Sequence, residues 1–151
     1  MSIYAKETKV SVDRTEGEIR TTLQRYGATS YVSGWQGSVA TIVFEVKDRR
    51  IRFDLKLPQP MDKMFDPSRG TRNAQQRQAA CEQEHRARWR ALALCIKAKL
   101  ESVEVGIETF DEAFMSHIVL PGGGTVGDHV SAHLPDVLQG KKMPPLLGSG
   151  K

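Results

Sequence analysis

Hydrophobic positions change their spacing twice along this chain. From 50 to 57 they alternate without a fault: Ile51, Phe53, Leu55 and Leu57 point one way, and Arg50, Arg52, Asp54 and Lys56 the other. That is the period of a half-buried strand. Residues 38–46, rich in β-branched side chains, predict a strand before it, and Thr29-Ser30-Tyr31-Val32 a shorter first one. Gly34-Trp35-Gln36-Gly37 is expected to turn the chain between the first two, and Lys47-Asp48-Arg49 between the last two. The result is a three-stranded antiparallel meander with one core-facing side. Pro58 ends it, because proline cannot donate to a ladder.

From 72 to 105 the period becomes helical. Trp89, Leu92, Ala93, Ile96, Leu100 and Val103 recur at three- and four-residue steps, while Arg86, Arg90, Lys97 and Glu101 fall off that stripe. One face of a long helix is made to be buried, and Gly106 stops it. Before the sheet, Asp13 and Thr15 offer overlapping N-caps, and Thr15-Glu16-Gly17-Glu18 reads as a capping box. The helix they predict carries Ile19, Leu23 and Tyr26 inward and ends at Gly27. After the long helix, Thr109-Phe110-Asp111-Glu112 is a second capping box, 118–120 a brief apolar strand, and Thr125 to Asp128 the cap of a last helix broken near Pro135.

Residues 1–12, around Ile3, Val10 and Val12, are expected to form a short edge strand or an arm. The proline- and charge-rich stretch 58–74 predicts an irregular loop within a single domain of residues 1–139, and 140–151 a loose tail. Strands grouped together and helices grouped together indicate an α+β domain, a small three-stranded meander packed by a long central helix with additional short helices.

Composition narrows the function classes more than it selects one. The 151 residues are 39% hydrophobic and 26% charged, ordinary for a globular domain that needs neither disulfide nor metal to form a core. No run is long and apolar enough for a membrane span and no apolar leader opens the chain, so cytoplasmic residence is the expectation. Cys81 and Cys95, fourteen positions apart on one helix, stand about 21 Å apart along its axis. They cannot bridge, and both read as buried thiols. A formal charge of +4 and a pI near 9.2 permit an acidic partner without requiring one.

Candidate chemistry lies in the cations. Arg50, Arg52 and Lys56 share the outer face of the third strand, and Arg69 and Arg72 would join them if the 58–74 loop folded back. Such a face can track a phosphate backbone, with Trp35 and Tyr31 stacking on bases. The competing reading is a solvated sheet face whose charges discourage edge pairing. Two acidic-x-lysine elements, Glu45-Val46-Lys47 and Asp54-Leu55-Lys56, resemble the metal-holding strand of some nucleases, but no earlier strand carboxylate completes the set. His129 and His133 have a spacing able to grip zinc yet lack a third ligand and a catalytic base. Gly122-Gly123-Gly124 lacks the lysine and spacing of a phosphate loop. No catalytic residue and no cofactor is expected.

Arg25-Tyr26-Gly27-Ala28, the strand ending Leu57-Pro58, Arg88-Trp89-Arg90-Ala91-Leu92 with Lys97-Ala98-Lys99-Leu100-Glu101, and Ile118-Val119-Leu120-Pro121 with Thr125-Val126-Gly127 together resemble a family of small uncharacterised proteins encoded by tailed phages and prophages. The resemblance runs from about residue 4 to 147. It implies a phage context, in which accessory proteins act on DNA or on host proteins, and transfers no functional residue. Two expectations follow. One is a non-enzymatic accessory protein that binds DNA or RNA through Arg50, Arg52, Lys56, Arg69 and Arg72. The other is an inhibitor or adaptor acting on a host protein complex, with Trp35 and the 58–74 loop at its contact surface.

Overall fold

The computed structural model describes residues 5–147. In order, the elements are α1 (Val12–Arg25), β1 (Ser30–Gln36), β2 (Val39–Val46), β3 (Arg49–Lys56), α2 (Ala74–Glu104), α3 (Phe110–Phe114) and α4 (Val126–Leu138), with 3-10 turns at Lys63–Phe65 and Met115–His117. The sheet is antiparallel in the order β1-β2-β3, so the α+β meander with a long helix is the architecture.

The β2–β3 hairpin turns on two residues. Lys47 and Asp48 both hold positive φ, 49° and 62°, the left-handed pair that matches strand twist, and β3 begins at Arg49 rather than after it. The β1–β2 turn differs from expectation. Gly34, Trp35 and Gln36 continue β1, paired with Thr41, Ala40 and Val39, and the reversal falls at Gly37, with φ 58°, and Ser38. A run of Gly-Trp-Gln-Gly suits a turn or a strand equally, and the partner residues in β2 decide it.

α1 starts earlier than its apparent capping box. Ser11 accepts from the Arg14 amide at 3.2 Å, which leaves Thr15 inside the helix and fully buried. α2 is capped by a reciprocal box between Asn73 and Gln76. Its 31 residues span about 46 Å. Trp89, Leu92, Ala93, Ile96 and Leu100 are buried along it against Ile19 and Leu23 of α1 and the inner row Ile42, Phe44, Ile51 and Phe53 of the sheet. Cys81 is buried, but Cys95 is exposed, one residue and so about 100° around the helix from Ile96. Thr109 forms the capping box expected of it and Thr125 caps α4 through another, while Pro135 does not break α4, which runs through it to Leu138.

The stretch 118–120 makes isolated bridges rather than a strand. Ile118 pairs with Ile51 and Val119 with Thr125, and the Val119 amide donates to Arg50 O at 2.8 Å. This segment covers part of the outer edge of β3. Within 58–74, Phe65 is buried, and Arg77 ties the loop to α2 through Pro60 O and Asp66. Residues 5–11 form no strand; Gln83 of α2 holds them by donating to Lys6 O and Thr8 O. Ile3 and residues 148–151 of the expected tail lie outside the described residues, and 141–147 carry no helix or strand.

α4 meets the Met115–His117 turn through Gly127, where an added Cβ would stand 2.6 Å from Ser116 O. Backbone cannot yield as a side-chain tip can. Gly127→Ala is therefore expected to cost about 1–3 kcal/mol, read as a lower urea midpoint with unchanged slope. Gly124→Ala, with nothing within 4 Å, is the matched control. Equal midpoints for the two variants would refute the close approach.

Candidate nucleic-acid interface

The outer face of β3 is a row of paired charges. Arg50 grips Glu45 across the hairpin at 2.8 and 3.1 Å. Arg52, with a side chain only 24% exposed, reaches Gly123 O at 2.6 Å, Asp54 at 3.4 Å and Asp128 at 3.5 Å. Arg49 next to them forms a two-pronged pair with Asp111, which holds that carboxyl below its ordinary range. Hydrogen bonds from the Thr125 backbone and hydroxyl, with Arg52 adding less, do the same for Asp128. Arginines at these sites tie the hairpin, the 118–128 segment and α3 to one another.

The loop cations do not join that row. Arg72 donates to Phe65 O at 3.0 Å and serves the loop's own fold. Arg69 and Lys56 are exposed and have no side-chain partner among the described residues. Lys56 ends β3 where its carbonyl accepts from Arg88 at 2.7 Å, about 20 Å along the strand from Arg50. The loop packs beside α2, with Met64 Sδ 3.9 Å from Arg88. Of the five expected contacts, Arg50, Arg52 and Arg72 are engaged within the fold, and Lys56 and Arg69 are left exposed.

Glu45 and Asp54, the carboxylates of the acidic-x-lysine elements, are engaged by Arg50 and by Thr41 with Arg52. His129 and His133 approach to 5.2 Å between ring centroids, with His129 Nε2 at 3.1 Å from Pro144 O. Among the described residues no group of three metal-ligating side chains converges.

A denser set of cations lies where α1 and α2 run side by side. Arg14, Arg20 and Arg25 of α1 and Arg90 and Lys97 of α2 line a groove of about 620 Å3 that also holds the Thr21 and Thr22 hydroxyls. Glu18 is the one carboxylate in it. It accepts from Arg90 at 2.5 Å and stands 3.7 Å from Arg14. The Arg90 hydrogen bond foremost, then the charges of Arg90, Arg14 and Lys97, hold the Glu18 carboxyl below its usual value against the opposing effect of burial. Arg25 and Lys97 have no carboxylate partner among the described residues, and Arg20 lies 6.0 Å over the Tyr31 ring. Burial pushes the Tyr31 hydroxyl up to about 12, so it stays neutral beside the cations.

Five cations face one carboxylate across the surface that joins two helices. In the sequence, Arg90 and Lys97 fall off the buried stripe of the long helix, and Arg20 and Arg25 off that of the first, with nothing to join the two sets. Arg14, Glu18 and Arg25 recur at helical steps along α1, a signal that was there to be used; the pairing with Arg90, 72 positions from Glu18, was not.

Comparison with family models, curated proteins and solved structures finds no match for this chain. Among the described residues no helix is long and apolar enough to cross a membrane.

Proposed function

We propose that the protein binds nucleic acid through phosphate contacts in the α1–α2 groove, as an accessory protein of a phage or prophage. The observation that carries the reading is the imbalance in that groove: five cations, one carboxylate, and hydroxyl donors between them. Its α1 side runs from Arg14 to Arg25, about 16 Å of helix. A single strand places about one phosphate per 3.4 Å of duplex axis, so the groove has room for about four or five. The phage setting is supported by the sequence resemblance.

The chemistry available is backbone contact without base reading. Aromatic platforms on which unpaired bases would stack are missing from the groove's lining. The reading therefore favours duplex over single strands. Lys56 and Arg69 extend the cationic surface elsewhere, while Arg50, Arg52 and Arg72 act through the fold. No catalytic step is assigned. The alternative, an adaptor or inhibitor of a host complex, would use a different face, the one bearing Trp35.

Fluorescence anisotropy of labelled duplex and single-stranded DNA and RNA, repeated across salt concentration, tests the proposal. Neutralising about four phosphates predicts a log–log slope near −3.6 for duplex DNA. Binding that ignores salt, or none at low salt, would sink it.

A further inference from the structure

The inner face of the sheet is incompletely filled at one end. Along β2 the buried row is Val46, Phe44, Ile42 and Ala40, so the smallest side chain stands last. Its partner across the ladder is Trp35, which shares that face because directly opposed residues do. Trp35 nevertheless stays 83% exposed. Beneath it lies a pocket of about 260 Å3, walled by α1, β1 and α2.

Chemistry of one kind converges there. Trp35 stands at the mouth and Trp89, 6% exposed, at the wall; Asp13 and Glu16 supply two carboxylates, and neither lysine nor arginine lines the space. Glu16 accepts from the Ser33 hydroxyl, and Asp13 has no side-chain partner among the described residues. His85 turns Nε2 to Pro58 O at 2.8 Å. The start of α1 adds about half a positive charge, which two carboxylates outweigh. Aromatic faces beside anionic acceptors select a cation. The volume lies below the roughly 300–1,000 Å3 of most small-molecule sites. It suits one side chain.

The pocket opens beside the barest edge of the fold. β1, Ser30–Gln36, carries no charge and no proline, and its outer edge pairs with no strand among the described residues. Edges are ordinarily blunted by charge, proline or a covering segment. β3 has such a cover at 118–119, and β1 has none among the described residues. We propose that β1 accepts an extended segment of a protein partner as a fourth strand, and that an arginine or lysine of that segment enters the pocket between Trp35, Trp89, Asp13 and Glu16. Main-chain bonds along β1 would hold the segment and the pocket would select its side chain. This surface is separate from the α1–α2 groove, and the inference does not depend on the nucleic-acid reading.

The protein contains two tryptophans, and both line this pocket, so their two indole N–H resonances report on it directly. The probes are N-acetyl-arginine methylamide, the blocked peptide Ac-Thr-Val-Arg-Val-Thr-NH2, and the same peptide with citrulline for arginine. Titrated into the 15N-labelled full chain, both arginine probes should shift both indole signals saturably. The peptide should bind at least about tenfold more tightly than the amino acid, and the citrulline peptide at least about tenfold more weakly than its arginine counterpart. The double variant Asp13→Asn with Glu16→Gln should lose binding to the same extent as citrulline. Trp35→Ala, at an exposed residue, should lose binding with the fold intact. Equal binding of arginine and citrulline peptides, or no saturable shift, overturns the cation pocket. A peptide no tighter than the amino acid overturns the added strand. A variant with Arg20, Arg25 and Lys97 replaced by glutamate should still bind the peptide, whether or not wild-type protein binds DNA.

Discussion

Phe114→Ala is expected to lose about 3–5 kcal/mol of stability, the range for emptying a fully buried aromatic site. Phe114 is fully buried and closes an aromatic cluster. Its ring meets Phe44 edge-on at 6.0 Å and Phe53 at 6.4 Å, and stacks on Phe110 at 4.7 Å. Lys99 Nζ stands 5.9 Å from the ring centroid while donating to Ala113 O at 2.8 Å. The side chain therefore joins the sheet, α2 and α3 at once. A helix as short as Phe110–Phe114 cannot be stable alone, so this anchor holds it in place. Domains of this kind total about 5–15 kcal/mol, and the variant gives up a large share of that. At roughly 2–4 °C per kcal/mol, the midpoint should fall by about 6–20 °C. Urea unfolding by fluorescence and circular dichroism measures it. A loss under about 1 kcal/mol would mean that the cavity collapses and that Phe114 is not the anchor.

Replacing Arg20, Arg25 and Lys97 together by glutamate is expected to weaken duplex binding by on the order of 100-fold or more at about 0.1 M salt. Those residues are chosen because their loss leaves no carboxylate stranded. Arg90 and Arg14 hold Glu18, and reversing either would confound binding with local rearrangement. The salt slope should collapse toward zero, since each lost phosphate contact removes about one unit of it. Reversal of Arg50 with Glu45 exposed beside it would instead disturb the hairpin, so it distinguishes the two surfaces poorly. Undiminished affinity in the triple variant, with unchanged circular dichroism, would remove the groove from the proposal.

Local signals carried the fold well. The alternation of 50–57 and the stripe through Trp89, Ile96 and Leu100 each report on one element, and each burial pattern follows. Errors arose where a distant partner decides. Trp35 looked like a turn residue because glycines flank it, but seven residues of β1 find register with β2 and carry the strand through. Asp13 and Thr15 offered better apparent boxes than Ser11, yet Thr15 faces the core and belongs within the helix. Cys95 looked interior by residue type, and helical phase puts it outside. The cation groove required knowing that α1 and α2 lie side by side. The pocket required knowing that Ala40 faces Trp35. Neither adjacency is written in spacing along one segment.

The meander also sets an order of assembly. Its strands pair only with sequence neighbours, so the sheet can form once residue 56 has emerged from the ribosome. The inner row of Ile42, Phe44, Ile51 and Phe53 is then complete and α1 has already supplied Ile19 and Leu23, but the rest of the core, from Trp89 to Phe114, has yet to emerge. At about 5–20 residues per second, the 58 residues between positions 56 and 114 take about 3–12 s. For that interval each nascent chain carries an open aromatic sheet face beside the uncharged edge of β1. Slower translation through α2 lengthens that window and is expected to lower the yield of soluble protein.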